Sequence, residues 1–296
     1  MYDFVYFAFA PILVLSRSRL SVCLLFLVSS CGPEPASGPE QQSGEFRQWK
    51  LPASLREISG LALTPDERLL AITDEKAVVY ELDYQEGRII KSFAFGNPVV
   101  RADFEGIAVL QDRVWLMTSD GLLFAASEGP DGRSVNYQKF DTGHGSYCEL
   151  EGLAQDSEVG TLILACKEAN SKGDALMIFE WSVSGDGIDH LRDIAVPQRT
   201  IAEGIDKKRI NPSGVAIDPR SGEWVLVAAR QKALFRLTTD GKLSEAVIRL
   251  KKSRHRQAEG IEMTRDGRLL IADEGGDSRA RLAVYQATSP WNHSNE

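Results

Sequence analysis

The sequence predicts an all-β fold, a five-bladed β-propeller whose last blade is closed by an N-terminal strand. Three observations carry this. One six-residue phrase recurs five times, at Glu57 to Ala62, Asp103 to Ala108, Glu149 to Ala154, Asn211 to Ala216 and Gln257 to Glu262. Its glycines, Gly60, Gly106, Gly152, Gly214 and Gly260, are 46, 46, 62 and 46 residues apart, a period that suits a four-stranded blade. Finally, the fifth repeat runs out one strand short, while a strand-like segment is left over before the first.

Each phrase is an apolar run that opens its repeat. Turn residues follow, then a second run: Pro65-Asp66-Glu67 before Leu69 to Thr73, Asp112-Arg113 before Val114 to Thr118, and Gly160 before Thr161 to Cys166. Such pairs read as hairpins. Third strands are expected at Ala77 to Leu82, Leu122 to Ala126, Ala175 to Val183, Ala233 to Thr238 and Arg281 to Gln286. Fourth strands fit Ile89 to Phe95, Asn136 to Phe140, His190 to Val196 and Leu243 to Leu250. Phe46 to Leu51 is the leftover that completes the fifth blade, and closing the ring removes an exposed sheet edge. The repeated Gly-x-Ala has a structural reading: innermost strands of adjacent blades approach closely, and small residues leave room for Leu, Ile and Val of the next sheet. The only break is Glu262, where the other repeats carry Ala. The longer interval holds a charged insert, about Arg199 to Arg209, read as a short helix on the rim.

Residues outside the propeller (46–290) belong to delivery. Arg17 and Arg19 precede an apolar run of about ten residues, roughly half of what a spanning helix requires, so residues 1–30 read as a signal peptide. The run ends in Val28-Ser29-Ser30-Cys31, which resembles a bacterial lipobox, with Cys31 as the lipidated mature N-terminus; an ordinary cleaved signal or a longer anchor are the other readings. Gly32 stands where an inner-membrane retention signal has Asp. The expected location is therefore the cell envelope, with lipid in the outer membrane and the domain facing the periplasm. Residues 31–45, rich in Gly, Pro and Ser, read as a flexible tether, and 291–296 as a tail. In that oxidising compartment Cys148 and Cys166 form an even pair placed nearly as mirror images about the turn at 156–160, and a disulfide is expected.

Composition excludes other classes. A hydrophobic fraction of 43% with 26% charged residues leaves ample material for a core. A net charge of -8 and a pI near 5.2 lack the basic face that nucleic-acid binding needs.

Taken together, Asp103 to Val109, Cys148 to Ala154 with Leu162 to Glu168, and Gln257 to Glu274 resemble the SdiA-regulated (YjiK-like) family over about residues 46 to 286. That resemblance implies a five-bladed propeller, an extracytoplasmic location, bound calcium and no established biochemical activity. It supplies no ligand set, which has to come from the residues themselves.

Three residues before each repeated glycine stand Glu57, Asp103, Glu149, Asn211 and Gln257; one residue before stand Ser59, Glu105, Glu151, Ser213 and Glu259. All carry oxygen donors. Strand alternation predicts two stacked tiers around one mouth of the channel, joined by Asp74, Glu75, Asp120, Glu168, Asp273 and Glu274 from the returning strands. Converging carboxylates repel one another unless a cation or a proton compensates, and oxygen-only ligands suit a hard ion such as calcium. The expected site centres on Glu105, Glu151 and Glu259, with Asp103 or Asn211 completing the shell and Ser59, Ser213, Glu57, Glu149, Asp273 and Glu168 lining the mouth. The plainer account pairs these acids with Lys167, Arg230 and Lys76 around a water-filled channel. His144 and His255 precede repeats and could reach the mouth as bases, or be loop histidines. No Gly-x-Ser-x-Gly, His-Glu-x-x-His or phosphate-loop motif occurs. The leading reading is a non-enzymatic, calcium-containing propeller that binds a protein or small ligand, without catalytic residues. A calcium-dependent hydrolase, lactonase- or phosphoesterase-like, is the alternative.

Overall fold

The computed structural model describes residues 41–43, 46–169 and 175–287. The signal peptide, Cys31, most of the tether and the tail lie outside the described residues. Five sheets, antiparallel except for one short edge strand, contain all the strands of the described residues. Blade 1 comprises Ile58–Leu63, Leu69–Thr73, Lys76–Asp83 and Arg88–Phe95. Blade 2 comprises Phe104–Leu110, Arg113–Thr118, Leu122–Ser127 and Gln138–Asp141. Blade 3 has Cys148–Asp156, Thr161–Ala169, Ala175–Ser184 and Gly187–Pro197, and blade 4 has Gly214–Ile217, Trp224–Ala228, Ala233–Leu237 and Ile248–Arg249. Blade 5 is built from Ala258–Met263, Leu269–Asp273, Arg281–Tyr285 and, from the other end of the sequence, Phe46–Lys50. The chain is an all-β, five-bladed propeller.

The glycine phrases form the innermost strand of each blade, and the closeness of blades explains them. A Cβ on Gly106 would lie 2.5 Å from Leu153 Cβ, one on Gly152 2.9 Å from Val215 N, and one on Gly214 2.4 Å from Glu259 O. Gly260 faces Leu61 in the same way, at 2.8 Å, so the series returns from blade 5 to blade 1 and the ring is closed. Closure is reinforced within blade 5, where buried Phe46 and Trp49 pack against the sheet and Phe46 lies 4.9 Å from Tyr285 between ring centroids.

Several details depart from the sequence reading. Residues 41–43, assigned to the tether, pair antiparallel with Phe46 to Gln48 as a further outer strand. Ser134–Val135 adds a short parallel strand to blade 1. The fourth strand of blade 4 shrinks from the expected Leu243 to Leu250 to Ile248–Arg249 plus an isolated bridge at Leu243. The cause is the insert. Its helix, Gln198–Glu203, does not ride on the rim: Ile201, Ala202, Ile205 and Ile210 are buried in the core shared by blades 3 and 4. Leu243 and Val247 turn inward onto that wedge rather than extending a ladder. Burying four apolar side chains outweighs a few edge hydrogen bonds that water replaces at little cost.

Cys148 and Cys166 are disulfide-bonded, with Cα atoms 5.8 Å apart. The two are not directly opposite; Cys166 pairs with Leu150, and a register shift brings the sulfurs together.

Candidate functional site

In four blades the innermost strand skips one residue in its pairing. Ile58 pairs with Thr73 but Gly60 with the adjacent Ile72, and the same step occurs at Phe104/Gly106, Leu150/Gly152 and Ala258/Gly260. The residues left over are Ser59, Glu105, Glu151 and Glu259. A bulge of this kind re-aims its side chain, and these four line one narrow opening on the axis, with a volume of about 10 Å3, room for a single water or ion. Blade 4 has no such shift at its start. Its Ser213 is turned into the protein, donating to Ala258 O at 2.6 Å and accepting from Ala229 N at 3.1 Å.

The bulges also separate the two tiers that strand alternation would stack. Residues three before the glycines are spent sideways. Glu57 accepts from Arg56 at 2.9 Å, Asp103 from the Ser119 hydroxyl at 2.6 Å and Glu149 from Lys167 at 3.0 Å. Asn211 accepts from Gln231 at 2.8 Å and donates to Lys167 O at 3.0 Å, while Gln257 donates to Glu274. Of the returning strands, Asp273 is fully buried, holding His255 Nδ1 at 2.8 Å and Gln257 N at 3.1 Å. Glu168 sits outward beside Arg230, at 3.6 Å, and Arg209.

The electrostatics of the opening are those of crowded carboxylates. Burial, then Glu151, Asp103 and Glu259, push Glu105 far above the ordinary carboxylate range. Glu151 is raised by burial against the pull of Lys167. Glu259 is pushed up to about 8 by burial and Glu151. Burial works against the Lys167 ammonium, but its bonds to Glu151 and Glu149 outweigh this and hold it charged. One ammonium does not neutralise three ionised glutamates, so a proton or a cation has to balance the others. At the edge of the mouth Asp74 is raised to about 6 by burial, Glu57 and Glu274. Two oxygens here, Ser59 Oγ and Asp74 Oδ1, are buried without a hydrogen-bond partner.

The histidines do not join this site. His255 is fully buried between Asp273 and the Tyr285 hydroxyl, 2.7 Å from Nε2. His144 stacks on Phe179 at 3.9 Å and accepts the Trp181 indole N–H at 3.2 Å. With His190 and Asp193 it forms, among the described residues, the one group of three or more His, Cys, Asp or Glu side chains whose ligating atoms lie within 4.8 Å of one another. The axial glutamates stand farther apart than that. What sequence reading missed here is the bulge, which has no signal beyond the repeated phrase; the pairing of Lys167 with these acids, part of the plainer account, is present at Glu149 and Glu151.

The SdiA-regulated family matches residues 44–274 of the chain. Among solved structures, the chain is similar to a luciferin-regenerating enzyme, at 8% identity over 81% of this chain and 95% of that one with a TM-score of 0.51. It is also similar to the glutaminyl cyclase of Myxococcus xanthus, at 15% identity over 80% and 93% with a TM-score of 0.52. At these identities the likeness is one of fold alone. A search of curated protein sequences finds no match.

Proposed function

We propose that this chain, which belongs to the SdiA-regulated family, is a non-enzymatic propeller lipid-tethered in the bacterial envelope, whose axial mouth holds calcium and binds a protein or small ligand. The observation that carries the reading is the aim of Glu105, Glu151 and Glu259 into one opening that also meets the unpartnered Ser59 hydroxyl. The donors are oxygens only, which fits a hard cation and not zinc. Glu105, Glu151 and Glu259 would hold the ion with Ser59 and water, the side chains rotating inward to meet it. Of the residues expected to complete the shell, Asp103 has one carboxylate oxygen on Ser119, and Asn211 has its amide oxygen on Gln231 and would have to exchange that bond. Bound calcium would supply the missing positive charge and open positions for a ligand oxygen.

The test is metal content and melting temperature. Calcium that binds only the folded ring stabilises it by mass action, so chelator should lower the melting temperature and Glu151→Gln should blunt the response. A domain that contains no calcium and melts identically with chelator and with millimolar calcium would make the mouth an acidic channel only. The hydrolase alternative needs a base at the ion, and His144 and His255 are engaged elsewhere. Turnover of lactones or phosphate esters that chelator abolishes would establish it. For the tether, Cys31→Ser should release the protein from the membrane fraction; unchanged membrane association would refute a lipid anchor.

A further inference from the structure

The innermost strands that begin at the acidic mouth end, about four residues or roughly 13 Å further on, at a second and much wider opening. Its cavity measures about 700 Å3, within the range of roughly 300–1,000 Å3 typical of small-molecule sites. The floor is a five-fold ring of the residues three past each repeated glycine: Leu63, Val109, Gln155, Ile217 and Met263. Four are apolar and one is an amide.

Glu262 breaks the repeat at this floor. Its counterparts Ala62, Ala108 and Ala216 are at most 1% exposed and Ala154 5%, so the fold is satisfied by a methyl at this position. The Glu262 carboxylate lines the cavity while only 7% exposed. It accepts the Leu63 N–H of the next blade at 3.1 Å, the Met263 N–H at 2.8 Å, and a bond from Gln155 across the channel. A carboxylate offers about four acceptor positions, so one remains. Burying this charge is costly where four repeats do without it, and the position is the base of a pocket.

The charge around it selects the ligand. Five carboxylates line the cavity (Glu67, Asp156, Glu158, Asp218 and Glu262) against two guanidiniums. Arg220 is bound to Asp218 through Nε and Nη2, both at 3.1 Å, and Arg265 donates Nη2 to Pro65 O at 2.7 Å. An incoming group therefore meets an apolar ring, a buried carboxylate and a net negative wall. We propose that this opening is a second binding site, distinct from the calcium mouth, for a small organic cation, an ammonium or guanidinium on an apolar body, with Glu262 as its counter-ion.

The probes are benzylamine, butylamine and butylguanidine, with benzyl alcohol as the neutral control, titrated into the purified protein by calorimetry with calcium held constant. The expected result is saturable binding of at least one cation in the micromolar to low millimolar range, at least ten times tighter than benzyl alcohol, and a loss of tenfold or more in Glu262→Ala. That variant restores the residue of the other repeats; its circular dichroism and melting curve report folding. Ile217→Trp, which fills the floor without touching the carboxylate, should abolish binding independently. Binding that Glu262→Ala leaves unchanged, benzyl alcohol binding as tightly as benzylamine, or no cation binding at 10 mM would overturn the proposal.

Discussion

Glu262→Gln should alter how stability depends on pH, in a direction that the structure sets. Burial pushes the Glu262 carboxyl from 4.5 up to about 7, against the opposing bonds from Met263, Leu63 and Gln155. A carboxyl whose folded value exceeds its unfolded value binds protons more tightly in the native state. Its contribution is complete below pH 4.5 and is lost as pH rises through about 7. At 1.36 kcal/mol per pKa unit the loss is about 3 kcal/mol across this window. Glutamine cannot titrate, so the variant escapes the loss. It carries instead a constant cost, because its amide N–H₂ must face either the Leu63 or the Met263 N–H. Urea unfolding of both proteins at pH 5, 6, 7 and 8, at fixed calcium, isolates the effect as a change in the difference between them. Glu105, Glu151, Glu259 and Asp74, also raised, occur in both proteins and cancel. The variant should gain about 2.5 kcal/mol on wild type between pH 5 and pH 8, the rest of the loss having occurred below pH 5. Parallel stability curves would refute the reasoning that burial, not its hydrogen bonds, governs this carboxylate.

Gly106→Ala should cost about 1–3 kcal/mol, because its Cβ meets Leu153 Cβ and backbone, and more than Gly60→Ala, whose nearest neighbour is a movable Ile107 methyl at 3.1 Å; denaturant midpoints in the reverse order would contradict the blade-packing account. Trp49→Ala on the closing strand, where Trp49 is 2% exposed, should cost about 3–5 kcal/mol, and deletion of residues 41–43 far less; equal losses in thermal melts would mean that this strand does not hold the ring. Replacing both Cys148 and Cys166 with Ser, which opens a loop of sequence separation 18, should cost about 3 kcal/mol through the entropy returned to the unfolded chain, measured by urea unfolding under non-reducing conditions; an unchanged midpoint would show that the bridge adds no stability.

The blade count, the order of strands and the closing segment were legible because each rests on local pattern. Five copies of one phrase, turn residues at fixed offsets, a surplus strand before the first repeat and a missing one after the fifth leave few ways to bury the apolar runs. The close-packing role of Gly60, Gly106, Gly152, Gly214 and Gly260 followed from the same regularity. The chemistry of Ser59, Glu105, Glu151 and Glu259 was visible as oxygen donors at equivalent positions, and Glu262 as the one break in the pattern.

Pairing register was not legible. A bulge is a property of two strands at once, and it decides that Glu105, Glu151 and Glu259 face the axis while Asp103 and Glu149 do not. It also decides that Ser213, without one, turns into the protein. The insert likewise read as charged, because its apolar residues Ile201, Ala202, Ile205 and Ile210 find their partners only on blades 3 and 4. The sequence by itself determined which donors exist, how often they repeat and that a ring must close. Only the tertiary structure decided which of them converge and that the far mouth is a cavity of about 700 Å3 with a carboxylate at its base, since side-chain direction and enclosed volume depend on packing between strands distant in sequence.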